Sequence, residues 1–366
     1  MSVTKVSSAM QDLTDDYAFS GTVTGTPTGD KRNFIIDGDF TQWPEGDITG
    51  IANDEYGPAL FANLHSGGEV AHDVKQAVSN GYNFMHVDIT TAETAVAAGD
   101  YLFQEYRITG SDFLGIHEQT VTIQFTHNHT KTGTYCVGLR NSANNRSYTF
   151  EYTQSVSDTE EVHTETVTLD QSGTWLLTEA DVGLRLMFVV MTGSTFQTSA
   201  DTWTAGNYFA TSNQVAGADS ASNNFKIGKV GLYLGSTAPT FKSEPISIVK
   251  NQVRYYIQSV FDRYNGAAYS DITGSNLTTT TAWFFWGLNP KMRKAPTCSY
   301  TSTATAAFKL FQHNAVRVAT GNPSFSVYGV GLVRISLSYT ASGTVGAANT
   351  LYSLNQGTEI YADARH

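Results

Sequence analysis

The sequence predicts an all-β protein built from two β-sandwiches, and two observations lead to this prediction. Only 15% of the residues are charged, whereas 32 are glycine and 12% are aromatic, a balance typical of strands joined by polar turns. Short alternating apolar runs also recur at intervals of roughly ten to twenty residues, which is the spacing of a jelly roll. The hydrophobic fraction of 40% is enough to form cores and excludes a disordered chain.

The strands of the first sandwich are predicted from runs in which apolar and polar side chains alternate. Phe34–Ile36 is predicted to begin a strand, and Asp37-Gly38 after it is a turn pair. Further along the chain, seven runs predict strands at Asn83–Ile89, Thr120–Thr126, Tyr135–Leu139, Tyr148–Tyr152, Val162–Leu169, Leu184–Val190 and Phe225–Leu234. Together they predict a jelly-roll β-sandwich.

A helix is predicted where this pattern breaks. Between Pro245 and Phe261, residues such as Val249, Val253 and Tyr256 fall on one helical face, and a proline suits a helix start. Strand patterns then return at Thr281–Leu288, Phe308–Phe311, Ser324–Tyr328, Leu332–Tyr339 and Glu359–His366. We therefore expect a smaller C-terminal β-sandwich after the helix.

Four regions follow from this pass along the chain. Residues 1–32 contain only isolated apolar residues and are predicted to form an extended N-terminal arm. Residues 33–244 form the predicted jelly roll, 245–262 the linking helix and 263–366 the C-terminal sandwich. The two cysteines, Cys136 and Cys298, lie in different predicted domains, so we expect two reduced, buried thiols.

Charge and hydropathy exclude several classes of function. The formal net charge of −11 argues against a nucleic-acid-binding protein and against docking onto anionic lipid. The most apolar stretch, Leu184–Met191, is too short to span a bilayer, and the first residues lack the apolar run of a targeting segment. We therefore expect synthesis in the cytoplasm, no membrane insertion and no nucleic-acid partner.

Three segments together resemble a family of phage and prophage tail-fibre-like proteins. Asn33–Trp43 resembles the opening of jelly rolls in phage proteins and in related carbohydrate-binding modules. Phe225–Gly235, followed by Ala238–Phe241, resembles the closing strand of that domain and its exit. Glu244–Gln258 resembles the helix that comes next. The resemblance covers roughly residues 33–260. The segments Pro290–Thr297 and Tyr361–Ala364 resemble the terminal β-domain of the same proteins.

The resemblance implies a structural virion protein of a tailed bacteriophage. It implies a tail-fibre or receptor-binding subunit, a homo-oligomer and most often a trimer, that attaches to host surface polysaccharide or lipopolysaccharide. Residues 1–32 would then bind other virion tail proteins, and the protein would be located in the virion tail. Two alternatives stay open: a purely structural virion protein, such as a head fibre or tail connector without its own ligand, and a fibre-borne glycan hydrolase.

Catalytic motifs are not found in the sequence. It contains no Gly-x-Ser-x-Gly, no P-loop and no His-Glu-x-x-His, and acidic pairs such as Glu160-Glu161 lie in polar stretches. We therefore expect no enzymatic activity. A pair of glycosidase carboxylates brought together from distant strands stays open.

Aromatic residues in polar loops are the candidate sugar-binding residues, because an aromatic ring can stack on the weakly apolar face of a sugar. Trp203 and Tyr208 lie in a long loop, residues 193–224, and Tyr264 and Tyr269 lie in a loop after the helix. The alternative is that these rings pack under their own loops or at a subunit interface.

Two histidines and two aspartates are the candidate metal ligands. His127 and His129 share one face of a strand, so three chains could present six imidazoles to one metal; the alternative is two exposed histidines at a strand end. Asp37 and Asp39 match positions that, in related carbohydrate-binding modules, help to hold calcium. Lys229, however, stands near where those modules carry an acidic residue, and a lysine would repel the ion. We expect no cofactor and leave a structural metal ion open.

The strand around residues 283–286 provides the main argument for oligomerisation. Trp283, Phe284, Phe285 and Trp286 are consecutive, so both faces of this strand are apolar. One face is expected to lie in the core, and the other needs cover from a neighbouring chain.

Overall fold

The structure is a computed structural model, and it describes residues 32–68, 70–260, 262–264, 267–301, 308–312, 315–340, 344–353 and 359–365. The predicted arm therefore lies outside the described residues except for Arg32, whose guanidinium pairs with Asp112 at 2.6 Å. The predicted all-β fold is confirmed: a jelly-roll β-sandwich is followed by a short helix and a smaller β-region.

Twelve strands form the jelly roll. They are β1 (Glu55–Tyr56), β2 (Phe61–Ser66), β3 (Ala71–Ser79), β4 (Tyr82–Thr91), β5 (Tyr101–Thr109), β6 (Thr120–His129), β7 (Gly133–Arg140), β8 (Arg146–Gln154), β9 (Glu161–Thr168), β10 (Val182–Thr192), β11 (Thr204–Ala205) and β12 (Asn224–Leu234). A short helix, α1 (Gly110–Leu114), follows β5, and a 3-10 turn, Ser194–Phe196, follows β10.

The twelve strands pair antiparallel in two sheets that enclose the main core. The seven-stranded sheet has the order β1-β2-β5-β10-β7-β8-β11, and the five-stranded sheet has the order β3-β4-β12-β6-β9. Alternation places apolar side chains such as Val87, Ile123, Phe188 and Phe225 between the sheets, where all are buried. The predicted jelly-roll strands from Asn83 to Leu234 are confirmed, whereas β2, β3 and β5 were not predicted.

The predicted strand at Phe34–Ile36 is wrong, because this segment forms a series of bends and turns. Asp37 and Phe40 adopt positive φ angles of 57° and 52°, which interrupt an extended chain. The segment still lies against the closing strand β12. Asn33 accepts a hydrogen bond from the backbone N–H of Leu232 at 2.9 Å and donates one to the carbonyl of Val230 at 3.0 Å.

The linking helix is shorter than predicted. Helix α2 spans Ile246–Arg254, and the chain then enters strand β13 (Ile257–Ser259). The side chain of Gln258 donates hydrogen bonds to the carbonyls of Arg254 and Pro290, which helps to stop the helix. Of the predicted helical face, Val249 and Val253 are buried against the jelly-roll core.

The C-terminal region contains two further sheets. Its remaining strands are β14 (Asp262–Tyr264), β15 (Ala267–Asn276), β16 (Thr281–Gly287), β17 (Thr297–Thr301), β18 (Phe308–Gln312), β19 (Ala315–Val318), β20 (Ser324–Val327), β21 (Leu332–Ser338), β22 (Ala348–Ser353) and β23 (Glu359–Asp363). One sheet has the order β13-β23-β17. The other, eight-stranded sheet follows the path β19-β18-β22-β15-β16-β21-β20, with β14 beside β15.

A second core lies between these two sheets, with Phe284, Leu310, Ile335 and Ile360 buried in it. The terminal strand β23 runs between β13 and β17 and pairs antiparallel with both. Its continuation reaches the jelly roll: Arg365 forms an ion pair with Glu45 at 2.5 Å and lies 4.1 Å from the ring centre of Tyr56. Helices long and apolar enough to cross a membrane are not found in the described ranges.

Candidate functional site

The two predicted sugar-binding aromatics of the long loop lie along strand β8 and are partly buried. The indole N–H of Trp203 donates to the carbonyl of Thr168 at 2.9 Å, and its ring packs against Tyr148 and Trp175. The backbone N–H of Tyr208 donates to Ser147 Oγ at 3.0 Å. Much of the Trp203 ring therefore packs on its own chain, as the alternative interpretation anticipated, and Tyr208 is partly buried. Their role in sugar binding stays a prediction.

The other two predicted aromatics lie in a pair of antiparallel strands. Tyr264 is in β14 and Tyr269 is in β15, where Tyr269 is opposite Asp262 and Tyr264 is opposite Ala267. This is a backbone placement, and the two side chains lie outside the described part of the structure. The predicted loop after the helix therefore includes two paired antiparallel strands.

The loop of residues 193–224 is ordered by its own apolar cluster. Phe196 and Phe209 stack with ring centres 4.9 Å apart, and Phe209 packs on Phe103 of β5. Together with Cys136 and Met187, these residues bury the outer face of the seven-stranded sheet. This part of the outer face is therefore covered by the chain itself.

His127 and His129 lie inside the jelly roll, which contradicts the interpretation that they are exposed at a strand end. Both are buried, and His129 stacks on Phe225 at 4.0 Å. Nδ1 of His127 is hydrogen-bonded to Gln154 at 2.8 Å, and Nε2 of His129 to the hydroxyl of Tyr152 at 2.9 Å. Burial lowers the pKa of both imidazoles, so both are neutral at pH 7. A metal shared between three chains cannot reach them unless the core opens.

Asp37 serves to close the turn of the opening segment. Its carboxylate accepts hydrogen bonds from the N–H and hydroxyl of Thr41 at 2.8 and 2.6 Å and from the N–H of Gln42 at 2.8 Å. Burial raises the pKa of Asp37 to about 7, an effect that these hydrogen bonds oppose. Asp39 is also buried. Across the described residues, no group of three or more His, Cys, Asp or Glu side chains is arranged to hold a metal ion.

An open groove lies on the outer face of the five-stranded sheet of the jelly roll. A groove of about 420 Å³ is lined there by residues from four strands and from the segment that follows β12. Its lining residues are Tyr82, Gln124, Thr126, Val162, Lys229, Ala238, Pro239, Thr240 and Phe241. We call this the sheet groove. Its volume lies in the range of pockets that bind small molecules.

The floor of the sheet groove follows from strand alternation. Thr126 and Gln124 of β6 point away from the core because Phe125 between them points into it. Thr126 is opposite the exposed Val162 on β9, and Gln124 donates to the hydroxyl of Thr164 at 2.9 Å. Thr126 itself is only 3% exposed, so the floor offers chiefly the amide of Gln124 beside the apolar side chain of Val162.

The wall of the groove is formed by the chain as it leaves β12. The N–H of Gly235 donates to the carbonyl of Thr120 at 2.7 Å, and the hydroxyl of Thr122 donates to the carbonyl of Gly235 at 2.7 Å. These bonds hold residues 235–241 across the outer face of the sheet. Phe241 meets Tyr82 there edge to face, with ring centres 6.3 Å apart.

Tyr82 is positioned by a tight hairpin. Ser79 of β3 is opposite Tyr82 of β4, and the two residues between them, Asn80 and Gly81, have φ angles of 47° and 79°. An Asn-Gly pair with both φ angles positive is typical of a type I′ hairpin turn. The turn places Tyr82 at the first position of β4, at the end of the groove.

Lys229 is presented to the groove by a bulge in β12. The register of β12 against β6 shifts between Gly228 and Gly231, and Lys229 has a φ angle of 50°. Val230 points inward, and its N–H donates to the carbonyl of Gly38 at 2.7 Å. A bulge re-aims a side chain, and here the ammonium of Lys229 lies 4.1 Å from the ring centre of Tyr82.

Sequence reasoning missed the sheet groove. Gln124 and Thr126 were available as the polar positions of a predicted strand, and Tyr82 follows a recognisable Asn-Gly turn. The return of residues 235–241 over the sheet has no comparable sequence signal, because it depends on hydrogen bonds to β6. The contact between Phe241 and Tyr82 cannot be predicted from sequence unless the path of residues 235–241 over the sheet is known.

Comparison with known proteins gives weak likenesses only. No protein-family model matches the sequence, and no curated protein matches it. Among solved structures, a family 11 carbohydrate-binding module from Clostridium thermocellum in complex with a mixed-linked tetrasaccharide shares 13% identity, covers 53% of this chain and 98% of its own, and has a TM-score of 0.30. A structure described as CBM4 has 13% identity, coverage of 54% and 97%, and a TM-score of 0.31.

The enzymatically active domain of tailspike protein 4 from bacteriophage CBA120 is also similar in part. It shares 9% identity, covers 51% of this chain and 22% of its own, and has a TM-score of 0.27. At scores this low we draw no conclusion about this chain from the three likenesses.

Proposed function

We propose that this protein is a non-enzymatic glycan-binding subunit of a tailed-bacteriophage virion, and that the sheet groove is its sugar-binding site. The lining of the groove is the observation that supports this proposal. It combines two aromatic side chains, Tyr82 and Phe241, with the polar groups of Gln124, Thr240 and Lys229. Sugar recognition needs this combination, since an aromatic ring covers the weakly apolar face of a sugar while amide, hydroxyl and ammonium groups bond its hydroxyls.

The non-enzymatic part of the proposal is supported by the chemistry of the groove lining. Its nine lining residues, all among those described, include no carboxylate and no imidazole. Hydrolysis of a glycosidic bond normally uses two carboxyl groups on either side of the bond. The groove therefore suits retention of a glycan without cleavage.

The virion part of the proposal is supported by the resemblance of residues 33–260 to tail-fibre-like proteins. A homotrimer is supported by the apolar outer face of the eight-stranded sheet, where Phe285 is 51% and Phe311 43% exposed. Several groove sites on one particle would raise a weak affinity for surface glycan by avidity. In this proposal, residues 1–32 attach the subunit to the tail.

Substitution of the groove aromatics tests the sugar site. We expect Tyr82→Ala and Phe241→Ala each to lower the affinity for a bound glycan by about tenfold, since loss of a stacked ring costs about 1–2 kcal/mol. A glycan array identifies the ligand, and isothermal titration calorimetry measures the change. Tyr328→Ala is the matched control, because Tyr328 is an exposed tyrosine of the C-terminal region, away from the groove lining.

Three results would count against this proposal. Glycan binding that survives both groove substitutions would place the site elsewhere. Absence of binding to any glycan or host cell would favour a purely structural protein. Release of reducing sugar from host polysaccharide by the purified protein would favour the hydrolase alternative.

A further inference from the structure

The lysines on the outer face of the five-stranded sheet differ in their partners. Lys75 contacts the carboxylates of Asp73 and Asp88, both at 2.9 Å, and Lys226 contacts Asp158 at 2.9 Å. Lys229 has no carboxylate within ion-pair distance among the residues the structure describes; its one charge contact is with the ring of Tyr82. The lysine that lines the groove is thus the one whose charge is left uncompensated.

The nearby acidic side chains are already engaged elsewhere. Glu161 accepts hydrogen bonds from the backbone N–H groups of Ser155 and Val156. Glu160 accepts from the side chains of Ser79 and Asn80. The groove lining itself contains no acidic residue. Hydrogen-bonded carboxylates keep their charge, so the positive charge is confined to the lining of the sheet groove, where Lys229 is the one charged side chain among the nine lining residues.

The backbone at Lys229 gives a second reason to look for a role. A φ angle of 50° is disfavoured for any residue other than glycine, asparagine or aspartate, yet a lysine occupies the position between Gly228 and Gly231. Strain of this kind is found where the surrounding structure imposes it, often at binding sites. Glycine would adopt this φ angle without strain. The presence of a lysine therefore suggests that its ammonium group has a role.

We propose that the sheet groove recognises an acidic glycan, with the ammonium of Lys229 binding the carboxylate of a sugar acid while Tyr82 and Phe241 contact the sugar ring. This inference rests on the proposed function and specifies its substrate class. A lysine ammonium is a point charge that can bind a carboxylate from several directions, which suits a flexible polysaccharide. The partly exposed site also implies that affinity falls as ionic strength rises.

The test compares acidic polysaccharides with their own neutral forms. Polygalacturonate, alginate, hyaluronate and polysialic acid are each paired with the same polymer after chemical reduction of its carboxyl groups. Calorimetric titration of the full-length protein is carried out at 20 and 300 mM NaCl. We expect at least one acidic polymer to bind about tenfold more tightly than its reduced form at low salt, with most of that preference lost at high salt.

Two substitutions at the bulge isolate the charge. Lys229→Gly removes the ammonium and keeps the backbone conformation that the bulge needs, so the variant is expected to fold. It should bind the acidic polymer as weakly as wild type binds the reduced one, a loss of about tenfold. Lys229→Arg retains the charge and should retain the preference. Lys226→Gly is the control for removing an already paired lysine from the same sheet.

The possible results distinguish a failure of the acidic-glycan inference from a failure of the proposal that the sheet groove binds sugar. Equal binding of the acidic and reduced polymers by wild type, or an unchanged preference in Lys229→Gly, would overturn the acidic-glycan inference. In both cases, loss of binding in Tyr82→Ala would leave the sugar site standing. If neither the acidic nor the neutral polymers nor any array glycan binds, the proposed function fails and the inference fails with it.

Discussion

The outer faces of the five-stranded and eight-stranded sheets differ in what they present to solvent. The five-stranded sheet exposes ion pairs such as Lys75–Asp88, and a groove lined by both polar and aromatic groups. The eight-stranded sheet exposes Phe285, Phe311, Val316 and Val318, all between 43% and 51% accessible. The first face suits a hydrated ligand, and the second suits cover by another protein surface.

The same contrast exists within one strand of the C-terminal region. In β16, Phe284 is fully buried, while its neighbour Phe285 is half exposed on the other face. This confirms the expectation that one side of the run 283–286 lies in the core. Trp286 is buried with Phe284, and Trp283 lies outward, where the guanidinium of Arg334 covers it at 4.2 Å. The cover of the outward side by a second chain stays a prediction.

The largest effect is expected from the two phenylalanines of β16. Phe284→Ala should lower the free energy of unfolding by about 3–5 kcal/mol, because it leaves a cavity in the second core. Phe285→Ala should lower the stability of the isolated chain by less than about 1 kcal/mol. Urea denaturation followed by circular dichroism measures both. Equal losses would mean that the two faces are equally buried.

Lowering the pH is expected to have an intermediate effect on stability. This effect should differ between the jelly-roll core and the second core. Burial lowers the pKa of His72 and of His163 to about 4 in the jelly roll. Their unfolded forms take up protons near pH 6.5, so the stability that these neutral imidazoles contribute is present above pH 6.5 and is lost as pH falls toward 4. The described side chains of the second core include no histidine.

Acid should therefore loosen the jelly roll before the C-terminal region. The raised pKa of Asp37 works in the opposite direction, because its folded form takes up a proton between pH 7 and pH 5. We therefore expect a net loss of about 1–2 kcal/mol in the stability of the jelly roll over this range. Hydrogen exchange measured by mass spectrometry at both pH values can locate the loss. His163→Phe should reduce the pH dependence, since the imidazole stacks on Phe150 and its Nε2 lacks a hydrogen-bond partner. Faster exchange first in β16 and β21 would contradict this order.

The smallest effect on stability, and the clearest on assembly, is expected from charge on the apolar face. Phe285→Lys and Phe311→Lys should each change the stability of the single chain by less than about 1 kcal/mol, while converting the proposed trimer to monomer. Sedimentation velocity measures the assembly state. Val78→Lys, at an exposed valine of the five-stranded sheet, is the control. A wild-type protein that sediments as a monomer would remove the reason for a trimer.

Strands with simple alternation were predictable from sequence, whereas β5, which has a charged residue in its middle, was not. β6 and β12 alternate clearly, and their positions were found. β5 was missed because it contains Glu105, whose carboxylate is fully buried. That burial depends on Arg107 and Arg185, each 2.6 Å from it, and Arg185 comes from a strand 80 residues away. The pattern of residues around Glu105 cannot reveal an ion-pair partner that lies so far away in the sequence.

The candidate site was less predictable than the fold for a similar reason. Trp203 and Tyr208 were chosen because they lie in a long polar loop, yet the loop folds over the seven-stranded sheet and partly buries both. Tyr82 and Phe241 are far apart in sequence, and a return of the chain over the sheet brings them together. The burial of His127 and His129 was not predicted, because the segment His127-Asn128-His129 has the composition of a polar strand end. The structure shows that Gln154 and Tyr152 hold the two imidazoles inside.

The contact between Asn33 and β12 has a consequence for how the chain folds. The hydrogen bond from the N–H of Leu232 to Asn33 joins residues separated by 199 positions. The first and last parts of the jelly roll are therefore neighbours, and the loop closed between them includes nearly the whole domain. We expect slow folding from so distant a pairing.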